Sequence, residues 1–548
     1  MNSRFGSNKM KAESSSDGDD CLLLNSSSDS ESFRSLTNDD GSSYMEHLSN
    51  SADWQHGTSV TTSNACAMLL FLVQGLGHWG VCSLKALSHG FTHWLGTLRP
   101  PAVVLKGVEG SGRRDGSQPI HYLDGIRGIA CFIVFNFHFL YPYTLTIFKG
   151  FGAPTSDGYH HYVHQLPYVS LLYRGRAMVM LFFALSGYVL SYRCLSQMRK
   201  QAWEDSQKSL SSLTLRRFTR LYVPPTISMS IVMVATFYGA FEPGRRFQSS
   251  DWRTGYQEHH PVQKATFSAQ FQDFARMWWD WINLWNWNSY YSNYDPHTWT
   301  IPLELRSSMV LFILLVARTK LRFLYGFSLM LVSAVYCLMS VRWDVAIFLG
   351  GALVAELHIA SPTKRPNLPS RSSGIITPSA PASHKRTPST VGPRLGLLIS
   401  LYMLAYPDEA GEKTPGYEVL ASWTPSIYRD NRIFWNVVAC VILMWCVGRD
   451  RLQSRFFETD IAQYLGKVSY AFYLTHGPLL HSIGFTIQPM IWELFGHESL
   501  YQWVFGLFIG WLIMLTLSLM VAHIFWRCVD MPLVTLTKRI EKAISVSS

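Results

Sequence analysis

Long apolar stretches alternate with short polar and basic ones along most of this chain. A helix that crosses a bilayer needs about 20 mostly apolar residues. Ten stretches approach that length: 123–146, 177–195, 222–241, 299–317, 322–340, 343–360, 394–407, 433–448, 463–485 and 500–527, with 394–407 the shortest. The pattern predicts an all-α, polytopic membrane protein with about ten transmembrane helices. No fixed-period repeat or inverted repeat of the kind many transporters carry is visible. Residues 1–62 are rich in Ser, Asp and Asn and too poor in apolar side chains to form a core, so a disordered cytoplasmic tail is expected. Residues 63–118 are apolar but broken by Gly75, Gly77, Gly80 and Pro100-Pro101, which suits an interfacial or re-entrant segment. The membrane domain is expected over 119–535 and a cytoplasmic C-terminal tail over 536–548. The Pro/Ser-rich loop 361–393 reads as disordered. The long loop 242–298 gathers Trp278, Trp279, Trp281, Trp285 and Trp287, as an aromatic helix in the headgroup layer or a lid would.

Charge orients these spans. Arg199, Lys200, Lys208, Arg216, Arg217 and Arg220 follow the second span, Arg318, Lys320 and Arg322 the fourth, and Arg449, Arg451 and Arg455 the eighth. The loop after the sixth span and the C-terminal tail are also basic. All fall on one side, which the positive-inside rule makes cytoplasmic, with both termini there. Arg174 and Arg176 lie on the other side, against the trend. A multi-pass protein of the endoplasmic reticulum or another endomembrane is expected.

Composition sharpens the membrane reading. Apolar residues make up 48% and charged residues 15%, where a soluble domain is about a quarter charged. Nineteen Trp suit two membrane interfaces. The net charge of +10 is spread between apolar runs rather than gathered in a patch, so no nucleic-acid partner is expected; the lipid bilayer is. Nine Cys are scattered without C-x-x-C or zinc spacing. His160-His161-His164 and His259-His260 have no carboxylate at ligand spacing and read as solvated loop histidines. No metal site and no bound cofactor is expected.

Five segments carry candidate chemistry. In Leu123-Asp-Gly-Ile-Arg127-Gly…His138, eleven residues separate Arg127 from His138, close to three helical turns, so both share one face about 16 Å apart. Ionisable residues at membrane depth mark a site or pathway, and an imidazole there can act as a general base. Glu304, in Trp299-Thr-Ile-Pro-Leu-Glu304, needs a buried partner. His138 is one candidate, since a carboxylate would orient the imidazole; Arg306 is another, though positions two apart diverge on a helix. Ser186-Gly187 allows close helix approach and bonding across helices. Tyr473 and His476 lie one turn apart and either bind substrate or join helices. Arg216, Arg217 and Arg220, before Pro224-Pro225, set topology or capture a cytoplasmic polyphosphate ligand.

Taken in order, these segments resemble the acyltransferase 3 family of membrane O-acyltransferases, and most closely its fungal members. The family's Leu-Asp-Gly-Leu-Arg-Gly start with a later His is similar to Leu123–Gly128 and His138. Its Phe-Phe-x-x-Ser-Gly helix looks like Phe182–Tyr188, and its Arg-Arg-x-x-Arg-x-x-Pro stretch like Arg216–Pro224. Its Trp-x-x-x-x-Glu segment resembles Trp299–Glu304, and its Gly-x-x-Ser-Tyr-x-x-Tyr-Leu-x-His helix Gly466–His476. Asp530-Met-Pro532 stands where the family closes on Glu-x-Pro. The resemblance covers about 119–535. It implies an acyl-CoA co-substrate, commonly acetyl-CoA, and a hydroxyl-bearing acceptor such as a secondary metabolite, sugar or lipid. It assigns proton transfer to His138 with Glu304 orienting it, donor binding to Arg127, Arg216, Arg217 and Arg220, and substrate-binding or structural roles to Ser186, Tyr473 and His476. From the residues alone, a transporter or non-catalytic receptor with a buried His/Glu/Arg pathway remains the alternative reading.

Overall fold

The computed structural model describes residues 121–155, 158–159, 161–360 and 391–545. The expectations for 1–62, for 63–118 and for nearly all of the loop 361–393 lie outside these residues. Each of the ten predicted stretches is helical. In chain order the helices that build the bundle are α1 His121–Leu140, α2 Gly175–Arg199, α3 Trp203–Phe237, α4 Phe267–Trp281, α5 Thr300–Ala317, α6 Phe323–Met339 and α7 Trp343–Ala360. They continue as α8 Val391–Leu404, α9 Asn431–Val447, α10 Asp460–Leu479, α11 Phe485–Phe495, α12 Leu500–Phe525 and α13 Met531–Ile544. The β-structure among the described residues is one hairpin of two-residue strands, Pro154–Thr155 and Gly158–Tyr159. Among the described residues six segments are long and apolar enough to cross a membrane: His121–Leu140, Gly175–Arg199, Trp203–Phe237, Pro296–Ala317, Trp343–Ala360 and Leu500–Ile544. The helices α6, α8 and α9 are apolar but shorter. The 20-residue α10 matches α1 in length but carries Asp460, Lys467, Ser469 and His476 among its apolar residues.

Among the boundaries that differ from the sequence reading, three bear on the site and its surroundings. α1 stops at Leu140 instead of 146, because Pro142 disfavours helix in the residue before it. α3 begins at Trp203, so Arg216, Arg217 and Arg220 stand on a 35-residue helix rather than in a loop. Pro224 and Pro225 inside α3 lack the N–H groups that would bond the carbonyls of Arg220 and Leu221. The Tyr470 hydroxyl replaces them, lying 3.0 Å from the Leu221 carbonyl and 3.4 Å from that of Arg220. The helix therefore runs on through two prolines. At the C-terminus, residues 536–544 of the expected tail belong to α13, tied to α3 by Arg216–Glu541 at 3.2 Å.

Backbone contact between α1 and α10 sets the depth of the site. A Cβ on Gly128 would sit 2.4 Å from the Gly466 nitrogen, and one on Gly466 would sit 2.3 Å from the Asp124 carbonyl. No other residue allows this crossing, which carries His138 and His476 to the same end of the bundle.

Arg174 and Arg176 contradicted the charge pattern, and burial explains why. The Arg174 side chain is 2% exposed, donating to the carbonyls of Ile147 at 2.8 Å and Lys149 at 3.3 Å and to Asp408 at 3.2 Å. Arg432 at 2.7 Å and Arg176 at 3.7 Å converge on the same carboxylate. Burial alone would raise the Asp408 carboxyl, but the guanidiniums of Arg432, Arg176 and Arg174 together hold it below its ordinary range. These arginines staple loops and carry little topological information.

Candidate active site

The turn before α5 builds the centre of the site. Asp295 caps it, its carboxylate accepting from the His297 N–H at 3.2 Å, and Pro296 occupies the first position, where no N–H is needed. The same Oδ1 lies 3.0 Å from His297 Nδ1. His297 Nε2 lies 2.9 Å from Nδ1 of the half-buried His138 on α1. The tautomers follow from the partners. An ionised Asp295 only accepts, so His297 carries its proton on Nδ1 and presents a lone pair at Nε2. His138 must then donate from Nδ1, which leaves the lone pair of its own Nε2 for chemistry. The arrangement has the logic of a triad, with a second imidazole between the carboxylate and the working base.

α10 supports it. The Tyr473 hydroxyl donates to the His297 carbonyl and lies 2.7 Å from Thr300 Oγ1, which in turn donates to it. Gly477 makes room for the ring, since a Cβ there would lie 2.3 Å from His297 Nδ1. The His476 ring sits 5.3 Å from that of His138 and 5.2 Å from that of His297. Its Nδ1 donates to the Phe472 carbonyl at 3.0 Å, and its buried Nε2 has no partner among the described residues. Trp281 on α4, fully buried, donates to the Thr298 carbonyl at 3.2 Å and braces the turn from the other side. Trp278 bonds Thr226 on α3 at 2.9 Å, while Trp279 and Trp285 face outward. Trp278, Trp279 and Trp281 thus stand on a helix packed on the bundle by one face, with Trp285 and Trp287 beyond its end.

The loop after α3 covers the centre. Glu258 reaches inward, with Oε1 3.5 Å from His297 Nε2 and Oε2 against His481 Nε2, in the π-helical turn after α10. The His260 ring lies 4.6 Å from that of His481, tilted by 40°, and bonds Gln248 at 3.1 Å. Burial and the neighbouring His481 push the His260 imidazole down to about 3. The expected solvated pair therefore divides: His259 is exposed, but His260 is packed beneath the loop. Of the first cluster, His161 is exposed and His164 lies 3.2 Å from Thr146 Oγ1.

Glu304 has other partners than His138. Its Oε1 accepts from Ser186 at 2.6 Å and from Arg217 Nη2 at 2.6 Å, and Arg217 Nε donates to Ser308 at 3.0 Å. His138 takes its orienting contact from His297 instead, because the turn before α5 projects toward α1 whereas Glu304, further along, faces α2 and α3. The sequence-predicted residues thus fall into two groups. His138, Tyr473 and His476 meet at one level; Glu304, Ser186 and Arg217 meet at another. Arg127, half exposed, donates to the Gly466 carbonyl at 2.8 Å and pairs with Asp124 at 3.2 Å. Arg220 and Arg127 both lie within electrostatic reach of Asp530, in the Asp-Met-Pro that follows α12. Arg216 turns toward Glu541. Asp295, His297, Glu258 and His481 escaped the sequence reading. A signal for His297 exists: His297, Thr300, Glu304 and Ser308, spaced three or four apart, form a polar stripe along the turn and α5.

A buried imidazole relay inside an apolar helical bundle is the kind of centre that moves protons during group transfer. The chain matches the acyltransferase 3 family, described as an acyltransferase domain, over residues 120–527, and it belongs to that family. It is an acyltransferase. Among similar proteins are Acyltransferase R4 of a Phoma species, 27% identical over 470 residues (78% of this chain, 96% of the relative), and O-acetyltransferase PaAT-1 of Phomopsis amygdali, 26% identical over 481 residues (81% of this chain, 88% of the relative). Acyltransferase clz18 of Cochliobolus lunatus is 25% identical over 446 residues (75% of this chain, 93% of the relative). No solved structure matches.

Proposed function

We propose that this protein transfers an acyl group, acetyl being the first candidate, from acyl-CoA to the hydroxyl of a small-molecule acceptor. The observation that carries the proposal is the Asp295–His297–His138 chain, which leaves one imidazole lone pair free at the deep end of α1. His138 Nε2 removes the acceptor's hydroxyl proton as the oxygen attacks the thioester carbonyl. The C–S bond then breaks, and the thiolate takes that proton back from His138, so the ester and the free thiol form with no net proton release. Asp295 and His297 hold the tautomer and stabilise the transient imidazolium. Arg127, Arg217 and Arg220 form the donor end, on the face where an extended phosphopantetheine arm reaches along α1 toward His138. Glu304 holds Arg217 rather than His138. The basic loops argue for ten spans with both termini cytoplasmic, in an endomembrane, with acyl-CoA approaching from the cytosol. The name of one relative, an O-acetyltransferase, supports acetyl as the group and a hydroxyl as its acceptor.

The test begins with metabolite mass spectrometry of cells with and without the gene, in which a compound lighter by one acyl group in its absence identifies acceptor and acyl group. With that acceptor and labelled acyl-CoA, His138→Ala is expected to lower the rate about 10²–10⁴-fold, the usual contribution of a general base. Near-normal transfer by a correctly inserted His138→Ala overturns the proposal.

A further inference from the structure

Glu258, His297 and His481 come from three separate segments, and one ligand atom from each lies within 4.8 Å of the others. Two carboxylates meet this cluster: Glu258 within it and Asp295 behind His297. Asp295 is 1% exposed and Glu258 15%. The lone pairs present are those that bind metals. Asp295 occupies His297 Nδ1, and His297 Nε2 lies 3.5 Å from Glu258 Oε1. A carboxylate behind a ligating imidazole is the usual outer support of a metal-bound histidine. His481 Nε2 and the Glu258 carboxylate complete two nitrogens and a carboxylate, a set that suits zinc and leaves a position for water. Access exists: a cavity of about 440 Å³, lined by Glu258, His259, His260, Gln248 and Arg245, opens on Glu258. The neighbouring triplet His138, His297 and His476 has no anionic ligand and suits the ion less.

We propose that Glu258, His297 and His481 form a site for a divalent transition-metal ion, Zn²⁺ fitting best, whose occupation disconnects His138 from its relay. His297 Nε2 has a single lone pair. It either accepts the His138 N–H at 2.9 Å or binds the ion. A loaded site leaves His138 without the partner that sets its tautomer, so metal and acyl transfer exclude one another. The second half of this inference rests on the proposed role of His138; the first does not.

The experiment titrates the full-length protein in detergent with Co²⁺, whose four- or five-coordinate complexes with nitrogen and oxygen ligands absorb visibly, and then displaces it with Zn²⁺. One equivalent is expected to give the band, and His481→Asn or Glu258→Gln to abolish it. Asp295→Asn, which leaves all three ligands in place, is expected to weaken binding about 10–100-fold. Gel filtration confirms that each variant is folded, and Glu258→Asp, which keeps the charge, retains binding if His481→Asn proves unstable. No band with the wild type, or an equal band after His481→Asn and Glu258→Gln are combined, overturns the site. Zn²⁺ should also inhibit acyl transfer at the concentration that displaces Co²⁺. Binding without inhibition overturns the link to His138 and leaves the metal site standing. Failure of acyl transfer itself leaves the Co²⁺ titration unaffected, so the two readings fail separately.

Discussion

Two Arg–Glu pairs sit at α5, one near each end, and they differ in what they leave open. Arg318, at its C-terminal end, grips Glu356 of α7 with both Nη atoms, Nη1 at 2.6 Å from Oε2 and Nη2 against Oε1, and the side chains are 7% and 6% exposed. Both carboxylate oxygens are used. Glu304, near the N-terminal end, takes Arg217 and Ser186 on one oxygen, at 16% and 18% exposure for the ion pair, and its Oε2 has no partner among the described residues. The chemistry of the two pairs is the same. The first is closed and joins two helices; the second keeps an acceptor and part of a guanidinium available to something that arrives. Saturation therefore separates a staple from a site better than burial or residue type does.

The largest expected effect tests the closed pair. Glu356→Ala strands the buried Arg318 charge and should remove about 3–5 kcal/mol of stability, read from thermal unfolding in detergent. The rate per folded molecule should stay normal, and replacing Arg318 and Glu356 together by Met should recover most of the lost stability. An intermediate effect tests the open pair. Glu304→Gln should lower kcat/KM for the acyl donor about 10–100-fold, roughly 1.4–2.7 kcal/mol of transition-state stabilisation, with a small shift in the unfolding midpoint. If instead Glu304→Gln unfolds the protein and Glu356→Ala abolishes transfer, the contrast is inverted. The smallest effect comes from Ser186→Ala, which removes one donor from Glu304 Oε1 while Arg217 remains. Activity should fall about 2–10-fold, consistent with the roughly 0.5–1.5 kcal/mol net value of one hydrogen bond. A larger loss than with Glu304→Gln would mean that Ser186 acts on substrate directly.

The chain by itself determined much of this. Its apolar runs locate the helices of the bundle except α4, α11 and α13, because a bilayer-length stretch without charge has few other uses. The spacing of Arg127 and His138 places them on one helical face, and Tyr473 and His476 together on another. The basic run Arg216–Arg217–Arg220 is visible as such, although only the Tyr470 hydroxyl under Pro224-Pro225 shows that it stands on a continuous helix. Local patterns carry this information because helical geometry is periodic over a few residues.

Partnership is what the tertiary structure decided. Glu304 and His138 look like natural partners in sequence, yet the turn capped by Asp295 delivers His297 to His138 and leaves Glu304 to Arg217. Arg174 looks like a topological charge until Asp408, more than two hundred residues away, is seen beneath it. Glu258 and His481 are unremarkable in a loop and a helix end, and gain meaning when the loop after α3 and the turn after α10 bring both against His297. The reason is physical. A buried charge is stabilised by whichever opposite group or lone pair the packing places within about 4 Å, and a contact between segments so far apart in the chain leaves no periodic trace in it.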